Sequence, residues 1–257
     1  LTRRTILAVF AHPDDESMGP GGTLARYAAA GQRVCVVTAT DGGAGRLFEE
    51  RPPDDAGRRE LKRLRRLETA AACRILGVEH LGFLGLEDRG IAARSVLEVE
   101  ETIAAVIRRE RPDVVLTFHG SGISFHPDHR VITLATVGAF QGAARPDWYA
   151  DGAAAGLVPH RAAKLYAYTA VDRAIRRERW PRRLYLSPDD EITTVVDTSA
   201  WADTKWAAIQ AHATQQHGPP FRMLYEEGAF AEESFVRILP APSPGEPRET
   251  DLLAGLG

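Results

Sequence analysis

Short apolar runs of strand length alternate along this chain with stretches whose apolar residues recur at helical spacing. Ile6 to Ala11 is a continuous apolar run, as in a strand buried on both faces, and the stretch from about Gly21 to Ala30 is helical and closed by Gly31. Arg33 to Ala39 is β-branched and alternating, so a second strand follows and the order is βαβ. Arg58 to Leu76 predicts a long helix ending at Gly77, and His80 to Leu84 a short third strand. Val96 to Arg109 predicts a helix with Ser95 as N-cap and Pro112 beyond its end, Val114 to Phe118 a fourth strand, and Pro127 the start of another helix. Gly142 to Pro159, rich in Gly, Ala and Pro and without periodicity, reads as a long loop. Beyond it Lys164 to Thr169 and Glu191 to Val196 predict strands, Ser199 to Gln215 a helix capped by Ser199, and the Pro-rich stretch 240–257 a loosely held tail.

Repeated βαβ units imply a mostly parallel sheet with right-handed crossovers. The expected fold is α/β and Rossmann-like, a helix-flanked sheet of order 3-2-1-4-5 to which a smaller C-terminal part adds strands and a helix. No repeat or linker divides the chain, so residues 1–257 are expected to form one domain. In this order strands one and four are neighbours where the order reverses, and open α/β sheets bind ligands outside the carboxyl ends at that point.

Two segments put chemistry at those ends: His12-Pro13-Asp14-Asp15-Glu16 after the first strand and His126-Pro127-Asp128-His129 after the fourth. Proline at a first helical position and acids in a first turn are ordinary helix-start chemistry. That leaves unexplained why His precedes Pro in both places and why His129 closes the second turn. A catalytic zinc takes about three ligands from His, Asp or Glu and keeps one position for water. His12, Asp15 and His129 supply such a set, with Asp14 beside it as a general base requires.

Composition narrows the partners. A net charge of -3 gives no electrostatic reason for nucleic acid or an anionic membrane. The apolar stretch after Leu1-Thr2-Arg3-Arg4 is too short for a signal sequence core or a membrane span. Cys35 and Cys73 are isolated and read as buried thiols in a reducing cytoplasm, the expected location.

AHPDDE at Ala11 to Glu16 together with HPDH at His126 to His129 resembles the zinc-dependent N-acetylglucosaminyl deacetylases, the LmbE-like or PIG-L proteins. The resemblance extends through the Gly-rich turn at Thr38 to Gly45, through Arg65-x-x-Glu68 with Ala72 and Leu76-Gly77-Val78, and through Lys205 to Gln215 with His212, roughly residues 5 to 215. It implies zinc, or another divalent metal such as Fe(II), held by His12, Asp15 and His129. Asp14 is then the general base, His126 assists the oxyanion or protonates the leaving amine, and Asp128 holds an imidazole through its other nitrogen. The implied reaction hydrolyses the acetamide of a small N-acetylglucosamine conjugate, giving acetate and the free amino sugar.

The resemblance also marks substrate contacts. Arg65 matches a position that meets sugar hydroxyls in relatives, with solvated surface as the alternative. Gly42 and Gly43 stand in a turn that offers backbone groups to hydroxyls or a phosphate, with a plain tight turn as the alternative. His212 is a further candidate with no role assigned. Some relatives carry a tyrosine two positions before the first histidine of HPDH, where this chain has Ser124; the oxyanion then rests on zinc and His126, or on a group of a loop such as Gly142 to Pro159, where Trp148 and Tyr149 are candidates, and His119 is a histidine to watch. Arg173, Arg176, Arg177, Arg179, Arg182 and Arg183 form a basic run that meets an acidic aglycone or is a solvated face. Two other readings stand beside the enzyme: a Rossmann-type nucleotide binder, which would place its glycines after the first strand, and a non-catalytic sugar-binding protein, against which the intact ligand set argues. The glucosaminide and the oligomeric state, a homo-oligomer included, are left open.

Overall fold

The computed structural model describes residues 2–45, 54–149, 152–171, 183–215 and 219–256. Its strands are β1 (Thr5–Phe10), β2 (Arg33–Thr40), β3 (Glu79–Leu86), β4 (Val114–Phe118), β5 (Lys164–Thr169), β6 (Thr194–Asp197) and β7 (Glu232–Leu239). They form one sheet in the order β3-β2-β1-β4-β5-β7-β6. The first five pair in parallel, in the expected order 3-2-1-4-5, while β7 runs antiparallel to both β5 and β6.

The helices are α1 (Asp15–Met18), α2 (Gly21–Ala29), α3 (Asp55–Leu76), α4 (Val96–Glu110), α5 (Pro127–Gly142), α6 (Ala202–Ala211) and α7 (Pro219–Glu226). α2, α3 and α6 pack on one another, and α4 packs on α5. Because the chain moves one way from β1 and the other way from β4, right-handed crossovers send α2 and α5 to opposite faces. Both faces of the central strands are thereby covered, which is why all of β4 and β1 from Ile6 onward are buried.

Local signals set most boundaries. α3 begins where the Asp54 side chain accepts from Gly57 N, and ends at Gly77, whose φ of 72° is left-handed. Ser95 occupies the N-cap position of α4 but makes no capping side-chain bond. The helix expected over Ser199 to Gln215 is shorter: α6 is flanked by single 3-10 turns at Ser199–Trp201 and Ala213–Gln215, with His212 at its C-cap.

Two departures lie in the C-terminal part. β7, read as no element from its sequence Glu-Glu-Ser-Phe-Val-Arg-Ile-Leu, is a central strand because its charges are buried in pairs. Glu233 accepts from Lys205 Nζ of α6 at 2.7 Å and from the Gly22 and Thr23 amides at the start of α2. The stretch after Pro240, expected to be loosely held, is anchored. Glu249 accepts from Lys164, Tyr166, Thr194 and Arg237, and Leu252 is fully buried.

The Lys205–Glu233 pair yields a stability prediction. Glu233→Ala strands a buried ammonium and leaves two helix-start amides unpaired, so unfolding free energy should fall by about 3–5 kcal/mol. Urea denaturation checks this, and a loss under about 1 kcal/mol would show that the pair does not hold α2 and α6 to the sheet.

Candidate active site and metal centre

Three consecutive carboxylates, Asp14, Asp15 and Glu16, are buried in the turn after β1. Each faces a different basic group. Asp14 Oδ2 accepts from Arg65 Nη2 at 2.9 Å, Asp15 lies against His12 and His129, and Glu16 Oε1 pairs with His212 Nε2 at 2.7 Å. The turn also closes on itself: Asp15 Oδ2 accepts from His12 N at 2.7 Å, and Glu16 Oε2 from Asp14 N at 3.1 Å. Asp14 itself adopts φ 99°, a left-handed backbone that is uncommon outside glycine and persists only where the surroundings over-determine it.

Donor atoms converge beside it. His12 Nδ1 lies 3.1 Å from His129 Nε2 and 3.7 Å from Asp15 Oδ2, and His129 Nε2 lies 3.4 Å from Asp15 Oδ1. Ligands about 2.1 Å from a tetrahedral ion stand roughly 3.4 Å from one another, so the set has zinc-like spacing. The outer ring nitrogens are engaged as well. His12 Nε2 faces Asp128 Oδ2 at 3.3 Å and Asp88 Oδ1 at 3.2 Å, and His129 Nδ1 faces the Gly122 carbonyl at 3.1 Å. Each outer nitrogen then donates, so His129 turns its inner lone pair to His12 Nδ1, whose own lone pair faces the same point once its proton is lost. Phe118 stacks on the His129 ring at 4.1 Å and fixes its plane. These residues therefore fit a divalent ion.

His126 caps α5, its Nδ1 accepting from Asp128 N at 3.2 Å. Its proton is accordingly on Nε2. Its ring adjoins those of His12 and His129, with centroids 4.8 and 4.9 Å away, and one donor nitrogen from each of the three lies within 4.8 Å of the others.

Charge follows burial and partners. Burial opposes a proton on His12, but Asp128, Asp88 and Asp15 outweigh it and push the imidazole up to about 10. For His129, burial and then the charges of His12 and His126 push its value down to about 3, leaving it neutral. Burial raises Asp15, against the pull of His12. Burial also opposes ionisation of Asp88, yet its hydrogen bond to His12 and the His12 charge prevail and hold it at about 2.

The expected substrate contacts sit differently. Arg65, at 3 % exposure, is neither solvated surface nor an open contact: besides Asp14 it donates to the Pro13 and Gly42 carbonyls. Gly42 and Gly43 lie beneath the Arg65 and Lys62 side chains, which a Cβ at either position would strike. His212 is buried on Glu16. Tyr149 bonds Glu100 of α4 and packs at Gly142, the far end of a 16-residue helix about 24 Å long from the His126 end, with Trp148 beside it. Neither is placed to replace the tyrosine. His119 stacks on Tyr185 and bonds Ser121. Of the basic run, Arg173 to Arg182 lie outside the described residues.

Sequence reasoning missed Asp88, a carboxylate just past β3, and the pairing of Glu16 with His212. Strand-end position was the available signal for the first. Glu68, which accepts from Thr214 N and Oγ1, shows that the matched helix motifs brace the site from behind.

A doubly wound sheet with a His/Asp donor set at its switch point defines the class of α/β proteins that bind their ligand at the carboxyl ends of the strands. The family model for GlcNAc-PI de-N-acetylase, PIG-L, matches residues 7–140. A 1D-myo-inositol 2-acetamido-2-deoxy-alpha-D-glucopyranoside deacetylase of Thermomonospora curvata is 36 % identical, the match covering 99 % of this chain and 98 % of that protein. The chain belongs to the PIG-L family. Among solved structures, the N,N'-diacetylchitobiose deacetylase of Pyrococcus horikoshii matches at TM-score 0.69 and 22 % identity over 91 % of this chain and 84 % of that one. The 4-carboxy-2-hydroxymuconate hydratase of Pseudomonas putida matches at 0.69 and 23 % over 93 % and 98 %. Both show the fold alone.

Metal loading should depend on pH, because an ion at His12 Nδ1 must displace a proton that the neighbouring carboxylates hold there up to about 10. Affinity should therefore rise with pH across the neutral range, with about one proton released per ion. Calorimetric titration with zinc in two buffers of different ionisation enthalpy measures that release. His12→Ala and His129→Ala should each lose metal, and full occupancy in both would sink the ligand assignment.

Proposed function

We propose that this chain is a metal-dependent N-deacetylase, using zinc, that hydrolyses the acetamide of a small N-acetylglucosamine conjugate. The observation that carries this reading is Asp14, held by Arg65 in a left-handed backbone beside the convergent His12, Asp15 and His129 donors. The names of its relatives make 1D-myo-inositol 2-acetamido-2-deoxy-α-D-glucopyranoside the first substrate to assay. Among the described residues no helix is long and apolar enough to cross a membrane, as suits work on a small dissolved glycoside.

A bound metal supplies a Lewis acid that polarises the acetyl carbonyl and makes water more acidic. The chain's own groups move the protons. Asp14 takes a proton from the attacking water, and the Arg65 guanidinium keeps that carboxylate aimed until the transfer. His126 carries its proton on Nε2 and donates a hydrogen bond from it to the developing oxyanion, while Asp14 passes the proton it has taken to the amide nitrogen, so that the free amine leaves and acetate remains. Asp128 ties the two halves together: its amide fixes the His126 ring, and its carboxylate faces His12.

Amine release from the inositol glycoside, with and without added zinc, tests the reading, and no release at any metal loading would overturn it. Asp14→Asn should keep its metal while kcat falls roughly 10²-fold or more with little change in KM. Metal loss in that variant would instead make Asp14 a ligand.

His126→Ala should also keep its metal, and kcat should fall roughly 10² to 10³-fold. The ring makes this bond in its neutral form, with Nδ1 held by the Asp128 amide, so the limb that disappears from the kcat/KM profile should be the acidic one. An unchanged profile in a zinc-loaded variant would assign the oxyanion contact to another group.

A further inference from the structure

The residue before His126 is an exposed aromatic in an unusual backbone. Phe125 has φ 58°, Ile123 φ 61° and Gly122 φ 73°, so three of these four positions are left-handed, two of them in residues that disfavour it. Ser124 N donates to Gly122 O at 2.7 Å, closing a three-residue turn around Ile123, and Tyr185 N clamps the turn by donating to Ile123 O at 2.7 Å. Such a path is not needed to start α5, since His126 and Pro127 already provide the cap and first position. Its effect is on the placement of Phe125.

The ring is framed. Tyr185 meets Phe125 edge-on, with centroids 6.4 Å apart and planes at 86°, and is itself stacked on His119 at 4.7 Å and held by Glu191 at its hydroxyl. The Arg183 guanidinium lies 4.9 Å over the Phe125 ring. Even so, Phe125 is 39 % exposed. Its neighbour in sequence is His126, and its frame stands on the β4 and β5 side of the crevice, where His119 N bonds Tyr168 O.

We propose that Phe125, backed by Tyr185 and flanked by Arg183, is the platform on which the aglycone of the glycoside rests, and so determines specificity. The platform takes a ring-shaped polyhydroxylated aglycone, whose C–H face lies on the aromatic ring while its rim hydroxyls accept from the Arg183 guanidinium. This inference rests on the deacetylase reading above.

The test compares two substrates that share the reacting sugar. One is the inositol glycoside; the other is methyl 2-acetamido-2-deoxy-α-D-glucopyranoside, whose aglycone is a single methyl group. Phe125→Ala and Phe125→Asn, the latter tolerant of a left-handed backbone, should raise KM for the inositol glycoside about tenfold with kcat within twofold. The kcat/KM of the methyl glycoside should not change, and Phe125→Trp should restore wild-type KM. Equal losses on both glycosides in metal-loaded variants, or an unchanged KM for the inositol glycoside, would overturn the platform. No amine release from either glycoside by the wild-type enzyme would overturn the deacetylase reading itself.

Discussion

Three carboxylates in a row, buried in one turn, are the constraint around which this molecule is arranged. A buried charge left unpaired costs several kcal/mol, so Asp14, Asp15 and Glu16 must each be met by a separate basic group. Successive side chains leave a turn in different directions: Asp14 meets Arg65 from α3, Glu16 meets His212 from the end of α6, and Asp15 meets His12 of the turn itself. The six-residue motif thus fixes where two helices end up relative to the crest of the sheet. It also fixes its own backbone, since Glu16 can reach the Asp14 amide only in the closed turn.

Topology does the rest of the assembly. β1 and β4 are adjacent because the strand order reverses between them, and residues 117 apart in sequence, His12 and His129, become neighbours at 3.1 Å. The third contributor comes from the other side of β1. β3, two strands away, brings Asp88 to His12 Nε2, while the Asp88 carboxylate also accepts from Ala44 N in the Gly-rich turn. That turn, which looked like a place for ligand phosphate or hydroxyls, is occupied by the protein's own polar groups.

What the sequence disclosed, and what it hid, follows from one distinction. Strands buried on both faces announce themselves as apolar runs, so β1, β2, β4 and β5 were legible along with their parallel order. The residues that converge at the carboxyl ends of β1 and β4 were legible too, because His-Pro at two strand ends has no local structural explanation. Buried charges deceive the same reading. β7 hides behind Glu233 and Arg237, whose compensating partners Lys205, Glu246 and Glu249 lie elsewhere in the chain. Arg65 looks like one more arginine on an arginine-rich helix, and only tertiary contact shows that it faces inward. The tail is held by Glu249, a polar anchor that no hydrophobic pattern reports.

The same fold carries a hydratase as well as deacetylases, so the chemistry must reside in the arrangement of charge and not in the sheet. Here that arrangement already draws a positive charge to the donor set. With His12 protonated on both ring nitrogens, one positive charge sits among Asp15, Asp88 and Asp128, and His129 stays neutral with its lone pair turned inward. A divalent ion held by His12, Asp15 and His129 would take the place of that Nδ1 proton while Asp88 and Asp128 still held the other nitrogen, and Asp14, bound to Arg65 instead of to the donor set, would keep its aim.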